Sequence, residues 1–227
     1  GSAFGSAGER CMAISVAVCV GKKTAENLKT KLLEETLKLN VGPYTDEKSD
    51  FGPLNNKAHY EKVMGYIDTG EKEGAKLLSD GRNMKLQGYE NGYFVGPTIF
   101  EDVKPDMKIY KEEIFGPVLS MMTTDTYEEA LKLVNDHELG NGAAVFTKSG
   151  MIAKHFTENA KIGMIGVNVP IPVPVAYHSF GGWKRSLFGD HSMHGPEGVR
   201  FYTKLKTATV TWSEDNSGPE FTIPVLS

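Results

Sequence analysis

A cysteine near the start of the chain has neighbours suited to nucleophilic chemistry. It ends the segment Gly5-Ser-Ala-Gly-Glu-Arg-Cys11, whose small residues let the backbone approach a ligand closely. The guanidinium of Arg10 favours a thiolate at Cys11, and nearby backbone N–H groups can receive an oxyanion. Cys11 is therefore a candidate acyl-transfer nucleophile. The alternative is that a free cysteine ahead of an apolar strand is simply a small buried hydrophobic residue, the role we assign to Cys19.

The elements that must position this cysteine alternate between strands and helices. An apolar, β-branched run over residues 12–21 predicts a strand buried on both faces, and leucines at helical spacing over residues 24–39 predict an amphipathic helix. Similar patterns predict helices over 57–69, 127–136 and 151–159, and strands over 94–100, 118–123, 143–147 and 162–167. This alternation predicts the α/β class, with an open, mostly parallel sheet and crossover helices.

Two later segments depart from the alternation. Prolines at alternate positions exclude residues 169–177 from a sheet interior and predict an extended wall or loop. Residues 203–212 return to β-like alternation and predict a late strand that needs a sheet to join. We therefore expect one domain over residues 1–202 and an appended tail over residues 203–227.

Composition and charge exclude several classes of partner. The 227 residues carry 25 basic and 29 acidic side chains, and no basic run is long enough to neutralise a row of phosphates, which excludes nucleic acid. The longest apolar stretch is about half of the ~20 residues that a membrane helix needs, and no charged leader precedes it. Two cysteines are too few for a disulfide framework. These features predict a soluble protein of the cytoplasm, or of the mitochondrial matrix in a eukaryotic source.

The histidines do not form a metal-binding pattern. His191 and His194 have i, i+3 spacing but no third ligand nearby in the sequence, so we predict no metal site. The remaining four stand alone and are expected to be exposed or packed: His59, His137, His155 and His178.

Several motifs resemble those of the aldehyde dehydrogenase superfamily. Phe4-Gly-Ser-Ala-Gly-Glu-Arg-Cys11 is similar to its active-site cysteine segment, and Lys111-Glu-Glu-Ile-Phe-Gly-Pro-Val118 to its cofactor-contact motif. Asn168, Phe180-Gly-Gly-Trp-Lys-Arg-Ser186 and Phe201-Tyr-Thr-Lys-Leu-Lys-Thr207 are similar to its closing motifs, in their usual order. Because the motifs recur in order over nearly the whole chain, the chain is identified as a member of the superfamily.

The resemblance implies roles for three further residues. By analogy, Glu113 would hold the nicotinamide ribose hydroxyls of NAD, Phe115 would pack against the nicotinamide ring, and Phe180 would line the substrate tunnel. From the residues alone, Phe115 has the alternative of an ordinary core position, as do Ile114 and Val118.

Within the superfamily, three segments look like the methylmalonate-semialdehyde dehydrogenase family. They are Gly-Glu-Arg-Cys-Met-Ala at 8–13, Asn-Val-Pro-Ile-Pro-Val-Pro at 168–174, and Ser186-Leu-Phe-Gly189, where hydrolytic relatives usually have glycine in place of Leu187. The resemblance implies NAD-dependent oxidation of methylmalonate or malonate semialdehyde through a cysteine thioester. It further implies acyl transfer to coenzyme A and decarboxylation, which give propionyl-CoA or acetyl-CoA.

A substrate that carries a carboxylate gives Arg10 a second task. An arginine fork matches a carboxylate in two-point contact, so Arg10 is expected to bind the substrate as well as to favour the thiolate. The alternative for Arg10 is a structural salt bridge, with Glu9 as the candidate partner.

Other interpretations of the whole chain stay open. The sequence has no Gly-rich turn between a strand and a helix that could cradle a pyrophosphate, so we expect the main NAD-binding domain to lie upstream and the isolated chain to be inactive. A hydrolytic dehydrogenase that releases a free acid is one alternative, and a non-catalytic assembly module is another. In the family, the C-terminal segment joins a neighbouring subunit's sheet, which implies a homo-oligomer, a dimer or a tetramer.

Overall fold

The main sheet of the protein has four strands. The computed structural model describes residues 1–210 and residue 212. Within it the strand order is β1-β4-β3-β2, with β1 at Val16–Val20, β2 at Lys76–Ser79, β3 at Thr98–Glu101 and β4 at Val118–Thr124. Strands β1, β4 and β3 run parallel, and β2 runs antiparallel to β3. The predicted open, mostly parallel α/β sheet is confirmed.

The remaining strands form two smaller sheets. Strand β5 (Leu139–Gly140) pairs antiparallel with β8 (Trp183–Lys184), and β6 (Gly142–Val145) pairs parallel with β7 (Met164–Val167). The sequence pattern predicts one sheet. It does not predict the further division, because strand periodicity carries no information about which strands pair. Within the described residues, the strands are divided among three sheets.

Helices cover the sheets and bring the motifs together. They are a 3₁₀ helix at Gly5–Gly8 and α-helices α1 (Lys22–Thr36), α2 (Lys57–Lys72), α3 (Lys108–Lys111), α4 (Tyr127–Asp136), α5 (Gly150–Asn159) and α6 (Gly195–Tyr202). The predicted bounds of α4 agree with the structure because Thr126 and Glu129 form a capping box at its start. The sequence pattern did not predict five of the strands and α-helices, all of them eight residues or shorter: β2, β5, β8, α3 and α6.

The hydrophobic core consists of two clusters. In the larger one, Val63 and Ile67 of α2 are fully buried with Ile99 and Phe100 of β3. The smaller cluster centres on Phe156 of α5 and adjoins the β6–β7 sheet. Burying side chains of this size stabilises a fold by about 1.5–3 kcal/mol each. The larger cluster also contains residues of the segments 4–11 and 111–118, so it holds both segments in place.

The segment that follows α6 forms no strand within the described residues. Helix α6 ends at Tyr202, and residues 203–210 are exposed and lie in no strand. These residues find no sheet edge in the described part of the chain, and because the predicted strand needs a sheet to join, which the family places in a neighbouring subunit, it stays a prediction. The rest of the predicted tail, residue 211 and residues 213–227, lies outside the described residues. No helix in the described part of the chain is long and apolar enough to cross a membrane.

Candidate active site

The segment before Cys11 turns tightly in a left-handed conformation. Ser6, Ala7 and Gly8 have φ values of 54°, 56° and 72°, which are costly for the two residues that carry a Cβ. The turn is held because Phe4 and Ala7 are buried in the larger core cluster. A conformation of this kind persists only where the surroundings enforce it, so the core fixes the approach to Cys11.

The two cysteines lie in opposite environments. Cys11 is exposed, whereas Cys19 is buried in β1, and this burial raises the pKa of the Cys19 thiol. The carbonyl of Cys11 accepts a hydrogen bond from Asn141 Nδ2 at 3.1 Å, and the next residue, Met12, is buried. The backbone around Cys11 is thus anchored while its thiol faces solvent, which does not match a small buried hydrophobic residue.

Arg10 folds back over the turn that precedes it. Its Nε donates to Ser6 Oγ at 3.1 Å, and a Cβ placed on Gly5 would lie 3.4 Å from Nη1 of Arg10. Glu9, the candidate salt-bridge partner, faces His59 instead, with 3.2 Å between Oε1 and Nε2. Arg10 forms no ion pair with any residue among those described. Its guanidinium is exposed and keeps donors for an external anion.

The second motif presents an acidic and an aromatic side chain to the surface. Ile114 and Val118 are buried, as the core alternative requires, but Phe115 is only partly buried and Glu113 is exposed. Phe115 also has a left-handed φ of 60°, and its carbonyl lies 2.7 Å from His59 Nε2. A core position therefore describes Ile114 and Val118, and not Phe115.

The structure brings the first two motifs into contact. Arg10, Glu113 and Phe115 line one cavity of about 30 Å³, together with Gly8 and Gly116. Ligand sites commonly measure several hundred Å³, so the cavity that these described residues line is too small to enclose a dinucleotide.

Phe180 lies in a different loop from that cavity. It pairs antiparallel with Met193, and its ring is tilted against His194 with 5.5 Å between centroids. The same loop packs against Asn141, since a Cβ placed on Gly182 would lie 3.2 Å from the Asn141 Cα. Asn141 in turn donates to the Cys11 carbonyl. Asn141 was not predicted as a site residue, because its only signal in the sequence is an amide between two glycines.

The lysine of the third motif has a structural role. Lys184 Nζ donates to three backbone carbonyls at the end of α4, those of Val134, Asn135 and His137, at 3.1, 3.0 and 2.9 Å. A cation at a helix C-terminus satisfies carbonyls that lack intrahelical partners. Desolvation and the nearby Lys161 lower the pKa of Lys184, although Asp136 opposes the shift.

Asn168 joins the ends of β6 and β7. Its Oδ1 accepts from the Thr147 amide at 2.9 Å, and its Nδ2 donates to the Thr147 carbonyl at 3.1 Å. Asn168 has a left-handed φ of 56°, which asparagine tolerates better than most residues. The motif residue thus closes a turn in the structure.

The paired histidines have separate protein partners. His191 Nδ1 lies 2.7 Å from Glu197 Oε2, and His194 contacts Phe180. In the part of the chain that the structure describes, no group of three or more His, Cys, Asp or Glu side chains could hold a metal ion.

Comparison with known proteins extends these observations. The sequence profile of the aldehyde dehydrogenase family matches residues 1–208. The chain is 53% identical to malonate-semialdehyde dehydrogenase of Pseudomonas aeruginosa, over 100% of this chain and 46% of the relative. It is 47% identical to the human methylmalonate-semialdehyde/malonate-semialdehyde dehydrogenase [acylating], mitochondrial, over 100% of this chain and 42% of the relative. The chain therefore spans less than half the length of these curated relatives.

Solved structures agree with the sequence comparison. A Sinorhizobium meliloti protein of the methylmalonate-semialdehyde dehydrogenase type, crystallised with NAD, has a TM-score of 0.92 and 56% identity, with 95% of this chain and 44% of that chain covered. The methylmalonate-semialdehyde dehydrogenase of Oceanimonas doudoroffii has a TM-score of 0.91 and 52% identity, with the same coverage of 95% and 44%. Together with the family profile, these similarities show that the chain belongs to the aldehyde dehydrogenase family.

Proposed function

We propose that the chain is the nucleophile-bearing part of an acylating dehydrogenase that oxidises malonate or methylmalonate semialdehyde. The observation that carries this proposal is that Cys11 is exposed and follows directly on Arg10, whose exposed guanidinium forms no ion pair among the described residues. The names of the relatives support the substrate class. Residues 1–202 would form the catalytic domain, and residues 203–227 an oligomerisation tail.

Arg10 suits an aldehyde that carries a carboxylate. Its Nε is occupied by Ser6, while the rest of the guanidinium is exposed, and Cys11 is the next residue in the chain. An arginine fork can hold a carboxylate through two parallel hydrogen bonds. Arg10 would therefore orient the substrate so that its aldehyde carbon lies within reach of Cys11.

Cys11 would carry the covalent chemistry. Its thiolate adds to the aldehyde carbon and forms a C–S bond, and the carbonyl oxygen becomes an alkoxide. Loss of hydride from that carbon restores the carbonyl as a thioester on Cys11. The Asn141 hydrogen bond to the Cys11 carbonyl holds the backbone during these steps.

The cofactor motif is suited to the nicotinamide end of NAD, which supplies the hydride acceptor when bound. Glu113 offers an exposed carboxylate for hydroxyl groups, and Phe115 offers a partly exposed ring in the same cavity wall as Arg10. At Gly8 and Gly116 the two loops approach so closely that a side chain on Gly8 would displace one of them. The remainder of NAD would be bound by an upstream domain.

Coenzyme A would release the acyl group. Its thiolate attacks the thioester, the new C–S bond forms, and Cys11 leaves as thiolate. The substrate carboxylate leaves as carbon dioxide, and the electron pair of the broken C–C bond enters the thioester as an enolate that takes a proton. The products are acetyl-CoA from malonate semialdehyde and propionyl-CoA from its methyl homologue.

We also propose a homo-oligomer, a dimer or a tetramer, in the cytoplasm or the mitochondrial matrix. Several large apolar side chains near the C-terminus are exposed in the isolated chain, among them Phe201, Tyr202 and Leu205. Exposed apolar patches commonly mark interfaces. The name of the human relative includes a mitochondrial location.

A dependence on coenzyme A tests the reaction. The protein that carries these residues is supplied with NAD and malonate semialdehyde, and acyl-CoA, free acid and carbon dioxide are measured. We expect multiple turnovers and a thioester product only with coenzyme A. Equal turnover without it, with a free acid as product, would establish the hydrolytic alternative. The absence of any turnover by Cys11→Ala is the matched control.

A further inference from the structure

One face of helix α2 contacts the cofactor motif at three points. His59 Nε2 lies 2.7 Å from the Phe115 carbonyl, Lys62 Nζ donates to the Glu113 carbonyl at 3.3 Å, and Tyr66 Oη donates to Glu112 Oε2 at 2.5 Å. The three side chains follow each other at i, i+3 and i+7, a spacing that places them on one helix face. Burial and then Glu112 raise the pKa of Tyr66 to about 12, so its hydroxyl stays a donor.

The same face contacts the nucleophile turn through His59. Oε1 of Glu9 lies 3.2 Å from His59 Nε2 and accepts from the Asn55 amide at 3.3 Å. Both side chains are largely buried, at 16% exposed for His59 and 17% for Glu9. Glu9 also lies beside the N-terminus of α2, where a negative charge is favoured. The residue next to Arg10 is thereby tied to α2.

The hydrogen-bonding partners define the tautomer of His59. A backbone carbonyl can only accept, so Nε2 carries the proton that it donates to the Phe115 carbonyl, while Glu9 Oε1 lies 3.2 Å from the same nitrogen. The same ring nitrogen therefore contacts both residue 9 and residue 115. It does so at the carbonyl of Phe115, whose left-handed backbone orients the partly exposed ring.

We propose that His59 is a positioning residue that couples the nucleophile turn to the cofactor motif. Its Nε2–H donates to the Phe115 carbonyl while Glu9 packs against the same nitrogen, and Lys62 and Tyr66 fix the remainder of the motif. An effect of His59 on NAD binding rests on the proposed function. The coupling of residues 5–11 to residues 112–117 through His59 does not.

Two amide replacements separate positioning from general stability. In His59→Gln the amide nitrogen can occupy the place of Nε2, whereas in His59→Asn the shorter side chain cannot reach it. Hydrogen exchange is measured at the backbone amides of residues 5–11 and 112–117. We expect His59→Gln to keep wild-type protection in both segments, and His59→Asn to raise exchange in both by on the order of tenfold.

His155 provides a matched control elsewhere in the chain. It is hydrogen-bonded through Nδ1 to the Tyr127 hydroxyl at 2.9 Å, far from both motifs in sequence. His155→Asn should leave exchange in residues 5–11 and 112–117 unchanged. Equal behaviour of the Gln and Asn variants at position 59, or a change in only one segment, would overturn the proposal. If His59→Asn also raises exchange throughout β4, that variant is generally destabilised and the test rests on His59→Gln. Loss of protection in residues 5–11 or 112–117 of His59→Gln would then refute the coupling.

Kinetics then separates this inference from the proposed function. In the protein that turns over, His59→Asn should raise the KM for NAD by roughly tenfold, with His59→Gln within about twofold of wild type. Altered exchange with an unchanged KM would support the coupling and contradict a cofactor role for Glu113 and Phe115. Unaltered exchange would contradict the coupling whatever the kinetics.

Discussion

The backbone of Gly8 lies directly against the backbone of Gly116. A Cβ built on Gly8 would be only 2.0 Å from the Gly116 carbonyl oxygen, and Gly8 also has a φ of 72°. The nucleophile turn and the cofactor motif, separated by about a hundred residues, therefore meet through main-chain atoms with no side chain between them. Any side chain at position 8 must push one motif away from the other.

Replacing Gly8 with alanine should separate the two motifs. We expect Gly8→Ala to lower the free energy of unfolding by at least about 3 kcal/mol, because backbone strain and a steric clash add. Chemical denaturation measures the loss. Gly74→Ala is the control, since Gly74 has a φ of 95° with nothing within 4 Å, so only strain of about 1 kcal/mol applies. Equal losses in the two variants would show that the close approach is unimportant.

The two cysteines should differ in reactivity. Limiting iodoacetamide is expected to modify Cys11 at least about ten times faster than Cys19, because burial limits access to Cys19 and raises the pKa of its thiol. Peptide mass spectrometry identifies the labelled site. In Cys11→Ser, rapid labelling should disappear. Faster modification of Cys19 would remove Cys11 as the nucleophile.

Arg10 should discriminate between aldehydes by their carboxylate. In Arg10→Leu, we expect kcat/KM for methylmalonate semialdehyde to fall about ten- to a hundredfold more than kcat/KM for propanal, which corresponds to roughly 1.5–3 kcal/mol. Arg10→Lys keeps the positive charge but not the two-point guanidinium contact, so its preference for methylmalonate semialdehyde should lie between that of the wild type and that of Arg10→Leu. A similar loss on both aldehydes would contradict carboxylate binding by Arg10.

Lys184 should stabilise the C-terminus of α4. Lys184→Met removes three hydrogen bonds to backbone carbonyls, and we expect a loss of about 1–3 kcal/mol in urea unfolding. The control is Lys154→Met, because Lys154 lies on the surface of α5 and pairs with Glu158 only at 3.8 Å. That variant should change stability by less than about 0.5 kcal/mol. Similar effects in the two variants would mean that the cap contributes little.

The 227 residues by themselves should bind NAD poorly and associate with each other. The described cavity of about 30 Å³ is far smaller than a dinucleotide site, and under the proposed function it contacts the nicotinamide end alone. Isothermal titration calorimetry is expected to detect no micromolar binding, and light scattering a dimer or a larger species. Micromolar affinity would contradict the first expectation, and a monomeric mass the second.

The sequence by itself determined most of the local structure and the identity of the candidate residues. The helices of α1, α2, α4 and α5 follow from apolar spacing and capping residues, because these signals act between neighbours in the chain. Cys11 and Arg10 stand out for a similar reason, since their chemistry depends on adjacent residue types. The motif resemblance added Glu113, Phe115 and Phe180, whose roles stay predictions.

Only the tertiary structure decided how distant segments cooperate. His59 and Asn141 gave no clear sequence signal, yet one joins Glu9 to Phe115 and the other holds the Cys11 carbonyl. The division of the strands among three sheets was equally hidden, because pairing depends on which edges meet in space. Contacts between residues far apart in sequence are selected by the packing of the whole core, and no local pattern encodes them.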